Sequence, residues 1–215
     1  MPPIHVALVG LSQSAKTSWA NDAHFPYLQS PSGKENFQIV ALLNSSEDAA
    51  NRAIEAYGLN AATVKSYGDP KALAEDPDVD LVVCCTRVDL HYDTVKPSLA
   101  AGKNVYVEWP LAANHQDAQE LASLARSTGA KTIVGLQARV DPAVCKIRQL
   151  LEQEVIGKVL SSELAAYSPA SDRHEISDGL GYFMEKKVGG NPVTIMLGHR
   201  KSGFLLEAFL PLSSR

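Results

Sequence analysis

Cysteine is scarce. Cys84, Cys85 and Cys145 are the three in 215 residues and cannot pair completely, so no closed disulfide framework is available. Cys84 and Cys85 adjoin in an apolar run, where successive strand side chains point to opposite faces. Both read as core thiols, with no metal site and no redox role expected. Long hydrophobic runs are missing too: no stretch approaches the roughly 20 apolar residues of a membrane span. The opening MPPIHVALVG has neither a basic leader nor a cleavage site, so the chain is expected to be intracellular, in the cytoplasm, with no membrane partner. Concentrated positive charge is also lacking. Twenty Lys and Arg stand against 24 Asp and Glu, a formal charge of −4 with no basic stripe, which argues against direct binding to nucleic acid. No internal repeat and no low-complexity segment interrupts the chain.

What is present is an ordinary globular composition, 45% hydrophobic and 20% charged, with enough apolar surface for a core. At roughly 150 residues per domain, the length suggests one domain and part of another. Short apolar runs alternate with amphipathic segments. Strands are expected at Ile4–Gly10, Phe37–Leu43, Thr63–Tyr67, Val79–Thr86, Asn104–Glu108 and Thr132–Leu136. Most are apolar on both faces, as in a parallel sheet covered on each side. Helices are expected at Ser14–Asp22, Ser46–Tyr57, Pro70–Glu75, Leu90–Ala101 and Asn114–Thr128. Gly58, Gly102 and Gly129 sit where a left-handed residue closes a helix. Residues 1–138 therefore read as an α/β, Rossmann-like, doubly wound parallel sheet with its ligand crevice at the C-terminal strand ends.

The pattern changes after Gln137. A helix over Pro142–Gln153 leads into one long strand, Lys158–Tyr167, and a polar stretch. A further helix starts where Asn191 caps and Pro192 fills the first turn.

The first strand runs into Gly10-Leu11-Ser12-Gln13-Ser14-Ala15-Lys16-Thr17. As a dinucleotide fingerprint, G-x-G-x-x-G/A becomes Gly10, Ser12 and Ala15, with serine replacing the glycine that lets the backbone approach a pyrophosphate. As a phosphate loop, Gly10, Lys16 and Thr17 match and Ala15 does not, because a side chain is disfavoured at positive φ. The strand–helix context favours the dinucleotide. At the end of the second strand, Asn44-Ser45-Ser46 stands where a carboxylate would hold the adenosine ribose, so NADP as well as NAD is expected to be accepted.

The ordered segments VALVGLSQSAKTSWA, HFPYL at His24–Leu28, CCTRVDLHY at Cys84–Tyr92, VYVEWPLA at Val105–Ala112 and GLQAR at Gly135–Arg139 resemble the Gfo/Idh/MocA family of NAD(P)-dependent oxidoreductases. Within it the resemblance is to a fungal branch that includes the galactose-regulon repressor, and it covers about residues 4–199. It implies that Thr86 and His91 lie beside the nicotinamide ribose, that Glu108 and Trp109 close the cofactor site, and that Gln137 borders the same crevice. It also implies a second, α+β domain forming a substrate floor and often an oligomer interface, of which residues 139–215 resemble a shortened version. A homodimer covering the incomplete sheet is the expected partner.

Two departures bear on activity. The resemblance implies Glu-Lys-Pro where this chain has Glu108-Trp109-Pro110, and an indole N–H neither accepts nor titrates in the useful range. It also implies an Asp-x-Gly-x-His motif, against which Ile195-Met196-Leu197-Gly198-His199 keeps only His199. His199, with a pKa naturally near neutrality, and Tyr182 are the candidate catalytic groups, with Tyr106 and Asp178 in reserve. Three functions follow: a cofactor-binding regulator or interaction module without ordinary hydride transfer, an enzyme using His199 or a tyrosine on a small organic substrate, and a nucleotide hydrolase.

Overall fold

A computed structural model of the protein describes residues 2–15, 17–161, 163, 178–191, 194, 195 and 198. Six strands, β1 Ile4–Val9, β2 Phe37–Leu43, β3 Lys65–Tyr67, β4 Leu81–Cys84, β5 Asn104–Glu108 and β6 Thr132–Gly135, form one sheet in the order β3-β2-β1-β4-β5-β6. Every pairing is parallel. Among the described residues the α-helices are α1 Phe25–Gln29, α2 Pro31–Asn36, α3 Glu47–Ala56, α4 Pro70–Ala74, α5 Val88–Ala100, α6 His115–Thr128 and α7 Pro142–Glu152. Among the described residues no helix is long and apolar enough to cross a membrane.

The strands are apolar on both faces because both are buried. In β1, Ala7 and Val9 join a core with Val82, Cys84, Val107 and Leu121, while Val6 and Leu8 join a second core with Leu28, Ala53 and Ile54. Each such Val, Leu or Ile side chain, taken from water, contributes about 1.5–3 kcal/mol. The two half-sheets diverge from β1 and β4, so the loops leaving their C-terminal ends open a crevice, the place where this strand order binds ligands.

Capping fixes the helix starts named above. Ser46 accepts the Ala49 N–H to open α3, Asn114 accepts the Asp117 N–H to open α6, and Gly129 closes α6 at φ 74°. The helix expected at Ser14–Asp22 forms later. Ser12 Oγ accepts the Ser14 N–H at 3.2 Å and lies 3.0 Å from Ser14 Oγ. This side-chain turn competes with helical bonding. Helical structure begins only at Ala20–His24, a π turn that passes into α1, with Pro26 in α1's first turn. The sequence patterns also omitted α1 and α2, which are too short to show a helical period.

The expected strand Lys158–Tyr167 is not seen at residues 158–161 and 163, which are irregular, and the remainder lies outside the described residues. Asp178–Met184 and Lys186–Val188 are 3-10 turns that pack back on the sheet domain. Val188 is buried. Gly189, at φ 79°, leaves no room for a side chain, since a Cβ there would lie 2.2 Å from the Ala113 carbonyl. Asn191 begins a helical turn as expected, its Oδ1 accepting the Thr194 N–H at 3.0 Å.

Candidate functional site

A cleft of about 620 Å³ opens at the C-terminal ends of β1, β4 and β5. Gly10, Ala15, Thr86, Glu108, Trp109, Gln137 and Tyr182 all line it. Gly10 ends β1 at φ 88°, and a Cβ on it would meet the Cys85 carbonyl and Thr86 Cγ2 at 3.2 Å. The glycine is therefore required twice, for its conformation and for the close approach of the β1 and β4 ends. A second cavity of about 470 Å³ lies at the end of β2, lined by Ser12, Asn44 and Ser45. Gly10, Thr86 and Leu90 border both spaces, so the two are neighbours across the switch point of the sheet.

Glu108, the last residue of β5, sits at the centre of a hydrogen-bonded cluster. His24 Nε2 is 2.6 Å from Oε1, Gln137 Nε2 donates to Oε2 at 3.0 Å, and the Tyr106 hydroxyl donates to Oε1 at 3.2 Å. An ionised carboxylate only accepts, so His24 donates from Nε2. The His24 and Tyr106 rings also meet edge to face, 5.2 Å between centroids. Burial, reinforced by the Glu108 charge, pushes the Tyr106 pKa up and keeps it a donor. His24 was not among the residues expected at the site, although HFPYL was one of the segments carrying the resemblance. Nothing local to it signals a partner 84 residues away.

Cys84 is buried in the first core, and Cys85, half-buried, packs against the second core while also bordering the cleft. Among the described residues Cys85, His24 and Glu108 place ligand-type atoms within 4.8 Å of one another. Burial, then the neighbouring Cys84 and Glu108, pushes the Cys85 thiol well above its ordinary pKa. A protonated thiol is a weak ligand, and hydrogen bonds already organise the other two groups.

His91 is placed differently from the expectation that it contacts a cofactor. It is 1% exposed and lies behind the cleft wall, Nε2 2.9 Å from the Thr86 carbonyl and Nδ1 2.9 Å from the Pro110 carbonyl. Burial lowers its pKa, and the carbonyl acceptors oppose that without reversing it. The neutral ring donates to one carbonyl at a time. It joins the loop after β4 to the loop after β5.

Trp109 lines the cleft, and its indole N–H donates to the Thr194 carbonyl at 2.7 Å. Its one donor is thus committed to holding the segment that carries Leu180, Tyr182, Phe183 and Ile195 along the cleft. Tyr182 is half-buried, packs against Phe183, and has the Arg87 guanidinium 5.5 Å from its ring centroid. Burial raises its pKa. Arg87 is itself held by a two-pronged pair to Asp89 at 2.6 and 2.7 Å. Asn44 donates from Nδ2 to the Leu11 and Ala49 carbonyls at 2.9 and 3.2 Å, pinning the β1 loop to α3. His199 and the side chain of Asp178 lie outside the described residues. Gly10, Ser12, Ala15, Asn44, Thr86, Glu108, Trp109 and Gln137 are brought to one connected crevice, Tyr182 is added to it, and His91 stands behind it.

A sheet of this order with its cleft at the β1/β4 switch point defines a dinucleotide-fold protein. Residues 4–136 match the sequence model of the oxidoreductase family with an NAD-binding Rossmann fold, Gfo/Idh/MocA, and the chain belongs to that family. It is similar to the dehydrogenase aclE of Aspergillus oryzae, 35% identical over 97% of this chain and 56% of the relative. It is also similar to the galactose/lactose metabolism regulatory protein GAL80 of Kluyveromyces lactis, 30% identical over 92% of this chain and 43% of the relative. A crystal structure of a super-repressor mutant of Gal80p from Saccharomyces cerevisiae superposes with a TM-score of 0.80 at 26% identity, over 97% of this chain and 54% of that one. The chain spans about half the length of these relatives.

Proposed function

We propose that the chain binds a nicotinamide dinucleotide, NAD or NADP, and acts as a cofactor-responsive regulator or interaction module rather than in ordinary hydride transfer. The observation that carries this reading is Trp109. At the position where the family resemblance implies a lysine, the cleft wall holds an indole whose donor is already engaged with the backbone of Thr194. Ile195 lines the cleft where the same resemblance implies an acid. The residues present fit the cofactor: Gly10 makes the tight turn that brings the ends of β1 and β4 together at the crevice, and the two adjoining cavities span the switch point. Gly10, Ser12 and Ala15 would hold the pyrophosphate, Asn44 and Ser45 would border the adenosine, and Thr86, Glu108, Trp109 and Gln137 would border the nicotinamide. The nicotinamide, when bound, supplies a hydride donor or acceptor. This chain's own groups bind and orient it, and Glu108, fixed by His24, Tyr106 and Gln137, gives the crevice a rigid polar floor. A regulatory role has a counterpart in the GAL80 relatives, and a homodimer in which a second copy supports residues 139–215 is part of the same proposal.

A second reading, an oxidoreductase acting on a small organic substrate, is favoured by the named dehydrogenase among the relatives and by Tyr182. That phenol lines the cleft and is kept protonated by burial, a state suited to donating a proton. Titration with NADPH and NADH, followed by steady-state assays with a panel of sugars and polyols, separates the two. The regulator reading expects saturable binding without turnover. Sustained turnover that falls at least ten-fold in Tyr182→Phe establishes the enzyme instead.

A further inference from the structure

Three side chains of metal-ligand type meet at one wall of the cleft. Cys84 pairs with Val107 across β4 and β5, so the next residues, Cys85 and Glu108, leave the two strands side by side at their C-terminal ends. His24, the last residue of the π turn before α1, is carried over to them by the first crossover. His24 Nε2, Cys85 Sγ and a Glu108 carboxylate oxygen all lie within 4.8 Å of one another, and all three residues are half-buried. Among the described residues the Cys85 thiol has no hydrogen-bond partner. Tyr106 and Gln137 donate to Glu108 at 3.2 and 3.0 Å, an outer layer of hydrogen bonds of the kind that orients a metal-binding carboxylate. Cys85 and Glu108 line the cleft, whereas His24 reaches them from outside its lining.

The geometry points to a zinc site held by His24 Nε2, the Cys85 thiolate and a Glu108 oxygen, with a fourth coordination position open to the cleft. One nitrogen, one sulfur and one oxygen make a mixed set that suits Zn2+, while Mg2+ and Ca2+ take oxygen ligands. Zinc bonds of about 2.0–2.3 Å in a tetrahedron place ligand atoms roughly 3.3–3.8 Å apart. The His24–Glu108 pair at 2.6 Å therefore opens, and a separation of up to 4.8 Å closes, by about 1 Å each. Side-chain rotation covers that range. Protons and charge balance as well. A coordinating thiol is deprotonated outright, so the ion displaces the Cys85 proton, neutral His24 moves its own proton from Nε2 to Nδ1, and the double positive charge meets one thiolate and one carboxylate. Metal binding thus exchanges the His24–Glu108 hydrogen bond for coordinate bonds to both groups. Three protein ligands leave the fourth position to a water or to the oxygen of a small organic molecule. The assignment is independent of the dinucleotide reading.

The full chain, stripped with a chelator, is titrated with ZnCl2 by calorimetry in buffers of differing protonation enthalpy, and with CoCl2 by absorbance. Wild type is compared with Cys85→Ser, His24→Ala, Glu108→Gln and Cys145→Ser, and thermal midpoints show whether each variant folds. Wild type is expected to take up one zinc per chain with a Kd of about 1 μM or tighter, to release about one proton near neutral pH, and to give the near-ultraviolet thiolate-to-cobalt band. Cys85→Ser loses that band. Each of the three ligand variants binds zinc at least about ten-fold more weakly, since loss of an outer partner alone has that effect, and Cys145→Ser keeps both signals. The wild-type affinity, proton count and band test the site even where a variant does not fold. No zinc uptake at that affinity, a cobalt band that survives Cys85→Ser or is lost in Cys145→Ser, or a ligand variant that binds zinc as wild type does overturns the assignment. A chain that binds NADPH and takes up no zinc overturns this site and leaves the dinucleotide reading standing.

Discussion

At the scale of single residues, the crevice is held in shape in part by groups that do not line it. His91 is a helix residue in the sequence pattern and a cofactor contact by resemblance, yet its ring is buried between the Thr86 and Pro110 carbonyls. Removing it strips two part-buried carbonyls of their shared donor and leaves a cavity, so His91→Ala is expected to cost about 2–4 kcal/mol in urea denaturation. The pH dependence has a definite sign. Because burial lowers the folded pKa, the unfolded chain takes up a proton as the pH falls through roughly 6.5 while the folded chain still resists it. Stability from this group is complete at higher pH, falls on acidification below that value, and levels off once the folded ring also protonates. Urea midpoints from pH 8 to 5 should show that slope in wild type and a shallower one in His91→Ala; equal slopes would remove His91 as its source. The cluster at Glu108 makes the same point. Glu108 and Gln137 were legible as site residues from their segments, but His24, which completes the cluster, was not, since its partner is chosen by folding.

At the scale of elements, the strands were readable because parallel strands buried on both faces are short continuous apolar runs, and α3 and α6 because Ser46 and Asn114 announce their starts. The first crossover was not. Its helix was placed at Ser14, where a serine side-chain turn holds the backbone instead, and its true turns, α1 and α2, carry too few residues to establish a period. The join between α4 and β4 depends on a residue with no sequence signal at all. Asp76 is 5% exposed and accepts from Lys65 Nζ and the Tyr67 hydroxyl at 2.8 Å each and from the Asp78 N–H at 3.0 Å. Its burial pushes the carboxyl pKa up, but these three donors outweigh it and hold the pKa below the ordinary value, while Tyr67 is pushed up to about 12 by burial and by Asp76. Asp76 therefore ties β3 to the entry of β4. Asp76→Ala is expected to lower stability by about 3 kcal/mol, the usual effect of breaking a buried charged pair, as read from urea midpoints at pH 7. With a depressed folded pKa, this contribution is present above roughly pH 3.9 and is lost as the pH falls further through the folded value. The variant and wild type should accordingly converge in strong acid, and a constant gap down to pH 2 would contradict the account.

At the scale of the whole molecule, the sheet ends at β6, and among the described residues no strand pairs with its outer edge. Ile133 on that strand is 62% exposed, and Val155 and Ile156 beyond α7 are 61% and 71% exposed. An open edge and exposed apolar side chains each favour association, in line with the proposed homodimer. Sedimentation velocity is expected to show a species of twice the chain mass whose share rises with concentration, and Ile133→Lys should shift it toward the monomer. A chain that stays monomeric across the range would reject the dimer.

The sequence by itself determined the α/β class, the alternation of strands and helices, the glycine at the end of β1, and the family, because each of these is local or lies in the order of segments along the chain. Only the tertiary structure decided that Glu108 meets His24, that the Trp109 indole N–H meets the Thr194 carbonyl, and that His91 stands behind the wall. Those are meetings between residues far apart in sequence or on separate elements, and the packing of crossovers against a twisted sheet selects them, leaving no periodicity by which they might be read in advance.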